Sequence, residues 1–127
     1  MTDQTKLLIF GEALFDCFSS NEQVLGGAPF NIAWHLQALK DDVRFLTRVG
    51  NDDLGDTILE AMSDWGMDLS SVQIDDEHPT GRVDVTLVGS EPSYTIAPDV
   101  AYDFIETDGE LNKWSDDCLL YHGTLAL

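Results

Sequence analysis

The sequence predicts an α/β fold: a mainly parallel sheet flanked by helices and carrying a small antiparallel β hairpin. Three observations lead there. Two short apolar runs, Lys6-Leu-Leu-Ile-Phe-Gly11 and Val43-Arg-Phe-Leu-Thr-Arg-Val49 with Gly50, end in glycine as strands buried on both faces do. Each is followed by a segment with apolar groups at helical spacing, the alternation expected of parallel strands and crossover helices. Beyond Gly66 the texture changes to alternating polar and apolar residues, the mark of strands with one wet face. With 127 residues the chain is long enough for one compact domain and too short for two.

In order, the first strand is followed by Glu12 to Asp16 and a short polar stretch, Ser19 to Gln23. Leu25-Gly-Gly-Ala-Pro-Phe-Asn31 then opens a helix that continues through Leu39, with Phe30, Ala33, Trp34 and Leu36 at helical spacing. Pro29 suits its first turn, where a missing N–H costs nothing. After the second strand, Asn51-Asp52-Asp53 supplies the N-cap chemistry of a helix carrying Leu54, Ile58, Met62 and Trp65, and Gly66 stands where a left-handed cap belongs. Arg82 to Val88 reads as a half-exposed strand, Gly89 to Pro92 as the turn, and Tyr94 to Ile96 as the returning strand. Asp108 to Trp114 reads as a short helix and Cys118 to His122 as another buried strand. The chain stops at Leu127 with no helix left to cover that strand, which reads as truncation.

Twenty-four acidic residues against six basic ones give a formal net charge of −18. Phosphate backbones and anionic membranes repel such a surface, so nucleic-acid and membrane partners are not expected. No apolar run approaches the ~18 residues of a membrane span, and Met1 to Lys6 lacks the zones of a signal peptide, so a cytoplasmic protein is expected. Cys17 and Cys118 belong to no CxxC pair and read as reduced, buried thiols. His35, His78 and His122 share no ligand spacing, and no metal site is expected in the chain.

Ligands of an open parallel sheet bind beyond the carboxyl ends of its strands. Asp16 is expected just past the first strand, Gly26 and Gly27 at the mouth of the first helix, and Asn31 one turn into it. A carboxylate, an amide and bare backbone converging on one point suit a neutral polyol. Each residue also has a structural reading, as a loop or cap aspartate, a tight turn, and a capping asparagine. Neither GxxxxGK[ST] nor GxGxxG follows the first strand, which excludes a Walker loop and a dinucleotide fingerprint.

The run Gly26-Gly-Ala-Pro-Phe-Asn31-Ile-Ala33, continued by Arg48-Val-Gly50-Asn-Asp-Asp-Leu-Gly55, resembles the first signature of the ribokinase-like carbohydrate kinases, the PfkB family. Gly11-Glu-Ala-Leu-Phe-Asp16 resembles that family's first strand and sugar-binding aspartate, and Pro79-Thr-Gly81 the start of its lid. The Gly-Glu opening and the Gly-Gly-Ala-Pro form look most like the fructokinase branch. The resemblance implies part of a ribokinase-like three-layer fold over residues 1–127, with a lid hairpin at about 80–97 closing on a sugar. It implies ATP-dependent phosphorylation of a sugar hydroxyl by the complete protein, with Mg2+. Asp16, Gly26, Gly27 and Asn31 would grip hydroxyls, Val83, Val85 and Ile96 would pack on the sugar from the lid, and a homodimer would form through the lid. Alternating valines on a strand are equally expected as core. The family's Gly-Ala-Gly-Asp motif has no counterpart here, so the catalytic base and the nucleotide pocket are expected outside the chain, and the chain alone is expected to be inactive. The short Cys17–Leu25 segment predicts stunted lid strands, and Lys40 stands where the family carries a helix-ending glycine. A non-catalytic sugar-binding module or remnant, a nucleoside kinase, or a sugar-acid kinase using Arg82 are the alternatives.

Overall fold

The computed structural model describes residues 6–39, 42–107 and 118–126. Four strands form one sheet in the order β5-β4-β1-β8, namely Val72–Asp75, Val43–Gly50, Lys6–Phe10 and Cys118–His122. All its pairings are parallel. Between β1 and β4 lies α1 (Ala28–Ala38), and α2 (Asp53–Asp64) connects β4 to β5. Side chains alternate along a strand, so Val43, Phe45 and Val49 of β4 share one face with Ile9 of β1. Phe30 and Ala33 of α1 and Ile58 and Met62 of α2 bury that face. Both helices lie there because right-handed crossovers that step across a sheet in one direction leave their helices on one side. Trp65 stacks flat on Trp34 at 4.9 Å between ring centres and donates its indole N–H to the Trp34 carbonyl at 2.9 Å, tying the end of α2 to α1.

The caps follow the sequence reading. Asp52 caps α2 by accepting from the Gly55 N–H, Pro29 sits in the first turn of α1, and Gly66 adopts φ 84° just beyond α2. Strand β5, whose sequence Val-Gln-Ile-Asp is too short to signal itself, was not expected, nor was the single 3-10 turn Ala101–Phe104. The helix expected at Asp108–Trp114 and the position of Lys40 lie outside the described residues. β8 forms where expected, but Leu119, Leu120 and Tyr121 are exposed: among the described residues it pairs with β1 alone and is an edge strand. Cys17 is buried, whereas Cys118 on that edge is only partly so.

The second sheet corrects the reading more deeply. Its order is β3-β2-β6-β7, from Gln23–Gly26, Leu14–Phe18, Gly81–Val88 and Glu91–Ile96. The expected hairpin is present, with a tighter turn at Gly89-Ser90; Pro92 is already in the edge strand β7, where a missing N–H is tolerated. The sheet is not purely antiparallel, because β2 pairs with β6 in parallel. The Cys17–Leu25 segment does carry short strands, β2 and β3 having five and four residues against eight in β6. It completes a second hairpin whose turn is closed by Asn21 at φ 65°, a left-handed value asparagine accepts readily.

The stretch from Gly50 to Gly55 is a crowded joint. A methyl group on Gly55 would collide with the Gly50 carbonyl and stand 3.0 Å from the Thr80 hydroxyl. Glycine in a helix ordinarily costs about 1 kcal/mol against alanine. Here the overpacking penalty, about 1–3 kcal/mol, outweighs it. Gly55→Ala is therefore expected to lower the urea midpoint of unfolding, the reverse of the usual helix Gly→Ala effect; a raised midpoint would contradict this packing.

Candidate functional site

Asp16 does not follow the first strand; it lies in the middle of β2, on the second sheet. Leu14-Phe-Asp-Cys-Phe18 alternates, sending Phe15 and Cys17 into the helix-covered core and Leu14, Asp16 and Phe18 to the other face. Register places Asp16 beside Val24 on one side and Val83 on the other, with Ile96 next in the row. Gly26 stands one pleat along on the same face, and a Cβ there would lie 3.5 Å from Asp16 Oδ2. Half-exposed, Asp16 thus borders bare backbone on one side and Val83 on the other.

Val83 and Val85 are buried in a cluster with Leu14, Val100 and Tyr102, while Ile96 is 49% exposed. Gly27 is the N-cap of α1 at φ 104°, a conformation that strains any residue with a Cβ. It also packs on the preceding chain, with the Glu12 carbonyl 2.6 Å from where its Cβ would be. That contact sets Gly27 directly against the segment joining β1 to β2. Asn31 is exposed one turn into α1 and lines a hollow of about 310 Å³ with Leu25, Phe30, Trp34 and His35. The structure therefore brings Asp16, Gly26, Val83, Val85 and Ile96 onto one face, seats Gly27 at the helix mouth beside them, and gives Asn31 to a hollow that neither Asp16 nor the glycines line. A larger hollow of about 560 Å³, floored by Phe104 and Ile105 and rimmed by Asp76, Glu77 and Glu106, contains none of these residues.

Glu12 escaped the sequence reading as a site residue. It is only 5% exposed, and its Oε2 is buried without a hydrogen-bond partner. Burial pushes its carboxyl above the ordinary glutamate range. Tyr102 is pushed up to about 12 by its own burial first and then by the nearby charges of Asp103 and Glu12. The signal was available: a carboxylate between Gly11 and Ala13, at the carboxyl end of a buried strand, has little room to reach water. Asp75 is the opposite case. Burial works against its ionisation, but hydrogen bonds from Arg48 Nε at 2.8 Å, from the backbone N–H groups of Glu77 and His78, and with the His78 ring hold its pKa well below the usual carboxylate range.

Residues 5–115 match the pfkB family of carbohydrate kinases. The chain belongs to that family. An uncharacterized sugar kinase of Pyrococcus horikoshii is 34% identical over 102 residues, covering 72% of this chain and 33% of its own length. Its structure in complex with ATP superimposes with a TM-score of 0.68 over 76% of this chain and 35% of that one. The fructokinase of Salmonella typhimurium is 27% identical over 127 residues, 96% of this chain and 41% of that one. A fructokinase of Vibrio cholerae, a double mutant solved with fructose, ADP and a potassium ion, matches at TM-score 0.64 and 25% identity over 79% of this chain and 35% of that one. This pfkB chain thus spans between a third and two-fifths of the length of the curated relatives it matches.

Among the described residues no group of three His, Cys, Asp or Glu side chains could hold a metal ion, and no helix is long and apolar enough to cross a membrane.

Glu12 and Asp75 make opposite pH predictions. A carboxyl whose pKa is raised on folding contributes most below its ordinary value of 4.5, and that contribution is lost as pH rises. Glu12→Gln is therefore expected to raise the melting temperature by about 3 °C near pH 8, with the gain vanishing towards pH 4. Asp75, with its pKa lowered, contributes above 3.8 and loses that contribution as pH falls. Asp75→Asn is expected to cost about 3 kcal/mol at neutral pH, because it strands the Arg48 charge, and progressively less in acid. Urea unfolding of both variants across pH checks both signs.

Proposed function

We propose that this segment is the sugar-holding part and lid of a fructokinase-like enzyme that transfers the ATP γ-phosphoryl group to a sugar hydroxyl. The observation that carries the reading is the placement of Asp16: half-exposed, against the bare backbone of Gly26, and in register with Val83 on a sheet of its own. A carboxylate there accepts hydrogen bonds from two adjacent hydroxyls, bare glycine backbone lets the ring approach, and apolar lid residues cover the ring's C–H face. Family membership and the fructose-holding Vibrio relative support this over a bare structural role for Asp16. Gly27 and Ile96 complete the grip in this reading, whereas Asn31, on the separate hollow it shares with Trp34 and His35, stands outside it.

Catalysis of phosphoryl transfer is chiefly positioning and charge stabilisation. In this reading the segment orients the acceptor hydroxyl and its lid excludes water. ATP, Mg2+ and the carboxylate that takes the hydroxyl proton are held by residues outside it. The exposed apolar residues of the lid hairpin, Leu87, Val88, Tyr94 and Ile96, support a homodimer formed through the lid. Arg82 disfavours a sugar-acid substrate: it is exposed, its row on β2 is that of Phe15 and so faces away from Asp16, and it is paired with Asp84 at 2.7 Å.

The test is calorimetric titration of D-fructose into the chain and into Asp16→Asn. Loss of one charged hydrogen-bond partner is expected to weaken binding at least about tenfold, and equal affinities would remove Asp16 from the site. The chain alone is expected to give no fructose-dependent ADP; steady ADP production would refute the division of labour proposed here.

A further inference from the structure

Two motifs that stand apart in the sequence, the Asp52 cap and the Pro79-Thr-Gly81 entry to the lid, are one object in the fold. Asp52 Oδ1 accepts from the Gly55 N–H at 2.8 Å and from the Thr80 hydroxyl at 2.6 Å, while Oδ2 accepts from the Thr80 N–H at 2.9 Å. The Thr80 oxygen in turn accepts from the Gly50 N–H at 2.9 Å. Thr80 is 1% exposed, so none of these bonds exchanges cheaply with water. The Ala101 N–H donates to the Pro79 carbonyl at 2.7 Å, and the ring of Tyr102 fills the space where a Gly81 side chain would be. The lid strand is thus gripped at its root from both sides: by the end of β4 and the start of α2, and by the turn that follows β7.

A simple N-cap needs one acceptor. Asp52 uses both oxygens, and two of its three bonds go to a residue 28 positions away. The excess has a geometric consequence. Gly81 pairs with Leu14 and Val83 with Asp16, so the position of Thr80 sets where β6 begins, and β6 sets where β2 carries Asp16.

We propose that Thr80, pinned by Asp52, is a positioning residue for the sugar site: it fixes the lid root to the parallel sheet and thereby sets the height of Asp16 and Val83 over the ligand. The sugar half of this statement rests on the function proposed above; the mechanical half does not. Lid motion then takes place beyond Gly81, in the hairpin whose β7 strand is exposed along its whole length, and not at the 79–81 root.

The experiment compares the chain with Thr80→Val, which keeps the shape and loses the hydroxyl, Thr80→Ser, which keeps the hydroxyl, and Asp52→Ser, which keeps a helix cap and loses the reach to Thr80. Amide hydrogen exchange and D-fructose titration are measured on each, well below its melting temperature. Thr80→Val and Asp52→Ser are expected to speed exchange in residues 83–87 and 15–17 while α1 and β1 stay protected, and to weaken fructose binding roughly five- to tenfold. Thr80→Ser is expected to restore both. Exchange that rises evenly through β4, α2 and the lid would mean a merely structural residue and would overturn the proposal, as would unchanged exchange in both variants. Should the unmodified chain fail to bind fructose, the functional reading fails while the exchange pattern still decides the clamp. If Thr80→Val does not fold, Asp52→Ser carries the same decision.

Discussion

The Asp52 carboxylate is the constraint on which the relative placement of the two sheets depends. It sits where β4 gives way to α2 and accepts hydrogen bonds both from its own helix and from the residue that enters the lid. Burial pushes its pKa up, but the hydroxyl and N–H of Thr80 and the N–H of Gly55 outweigh burial and hold it below the ordinary aspartate range. A charge-assisted acceptor of this kind is roughly twice as strong as a neutral one, and its geometry is tighter. The glycines at 50 and 55 follow from it: helix start, strand end and lid entry converge so closely that a methyl group at either has no room.

Around that joint the candidate site is assembled from parts with different mechanical backing. Gly27 lies against the Glu12 backbone between β1 and β2, while Gly26 faces Asp16. Asp16 belongs to a strand paired on both sides, so its position is shared with β3 and β6. The hairpin beyond Val85 has exposed side chains on both faces and is bound to the rest of the molecule chiefly through its own ladder. A braced carboxylate beside a lightly held hairpin is the pattern of stiffness that the proposed lid role requires.

Much of the site was legible because its residues carry local chemistry. Gly27 needs a positive φ, Pro29 a first helical turn, and Asp52 a cap, and each demand shows in the residue type alone. What was misread were the residues whose role depends on a strand partner far along the chain. Asp16 was expected just past the first strand because the five residues Leu14-Phe-Asp-Cys-Phe18 are too few to signal a strand of their own; its strand character comes from Gln23–Gly26 on one side and Gly81–Val85 on the other. Glu12 went unnoticed although its place between Gly11 and Ala13 hinted at burial, because Gly27 and Gly123, which approach it in the fold, are distant in sequence.

Apart from β2, β3 and β5, which did not signal themselves, the sequence by itself determined the two helices with their caps, the strands β1 and β4 and the β6–β7 hairpin, and that the chain carries the signature of the carbohydrate kinases. Those are consequences of backbone preference and hydrophobic period, which act over a few residues. Only the tertiary structure decided that the lid sheet is mixed, that Asp16 faces Gly26 and Val83, that Asn31 opens onto a separate hollow, and that Asp52 holds Thr80. Those are choices of pairing between distant strands, made by which faces can be buried together and which polar groups then find partners, and no local preference encodes them.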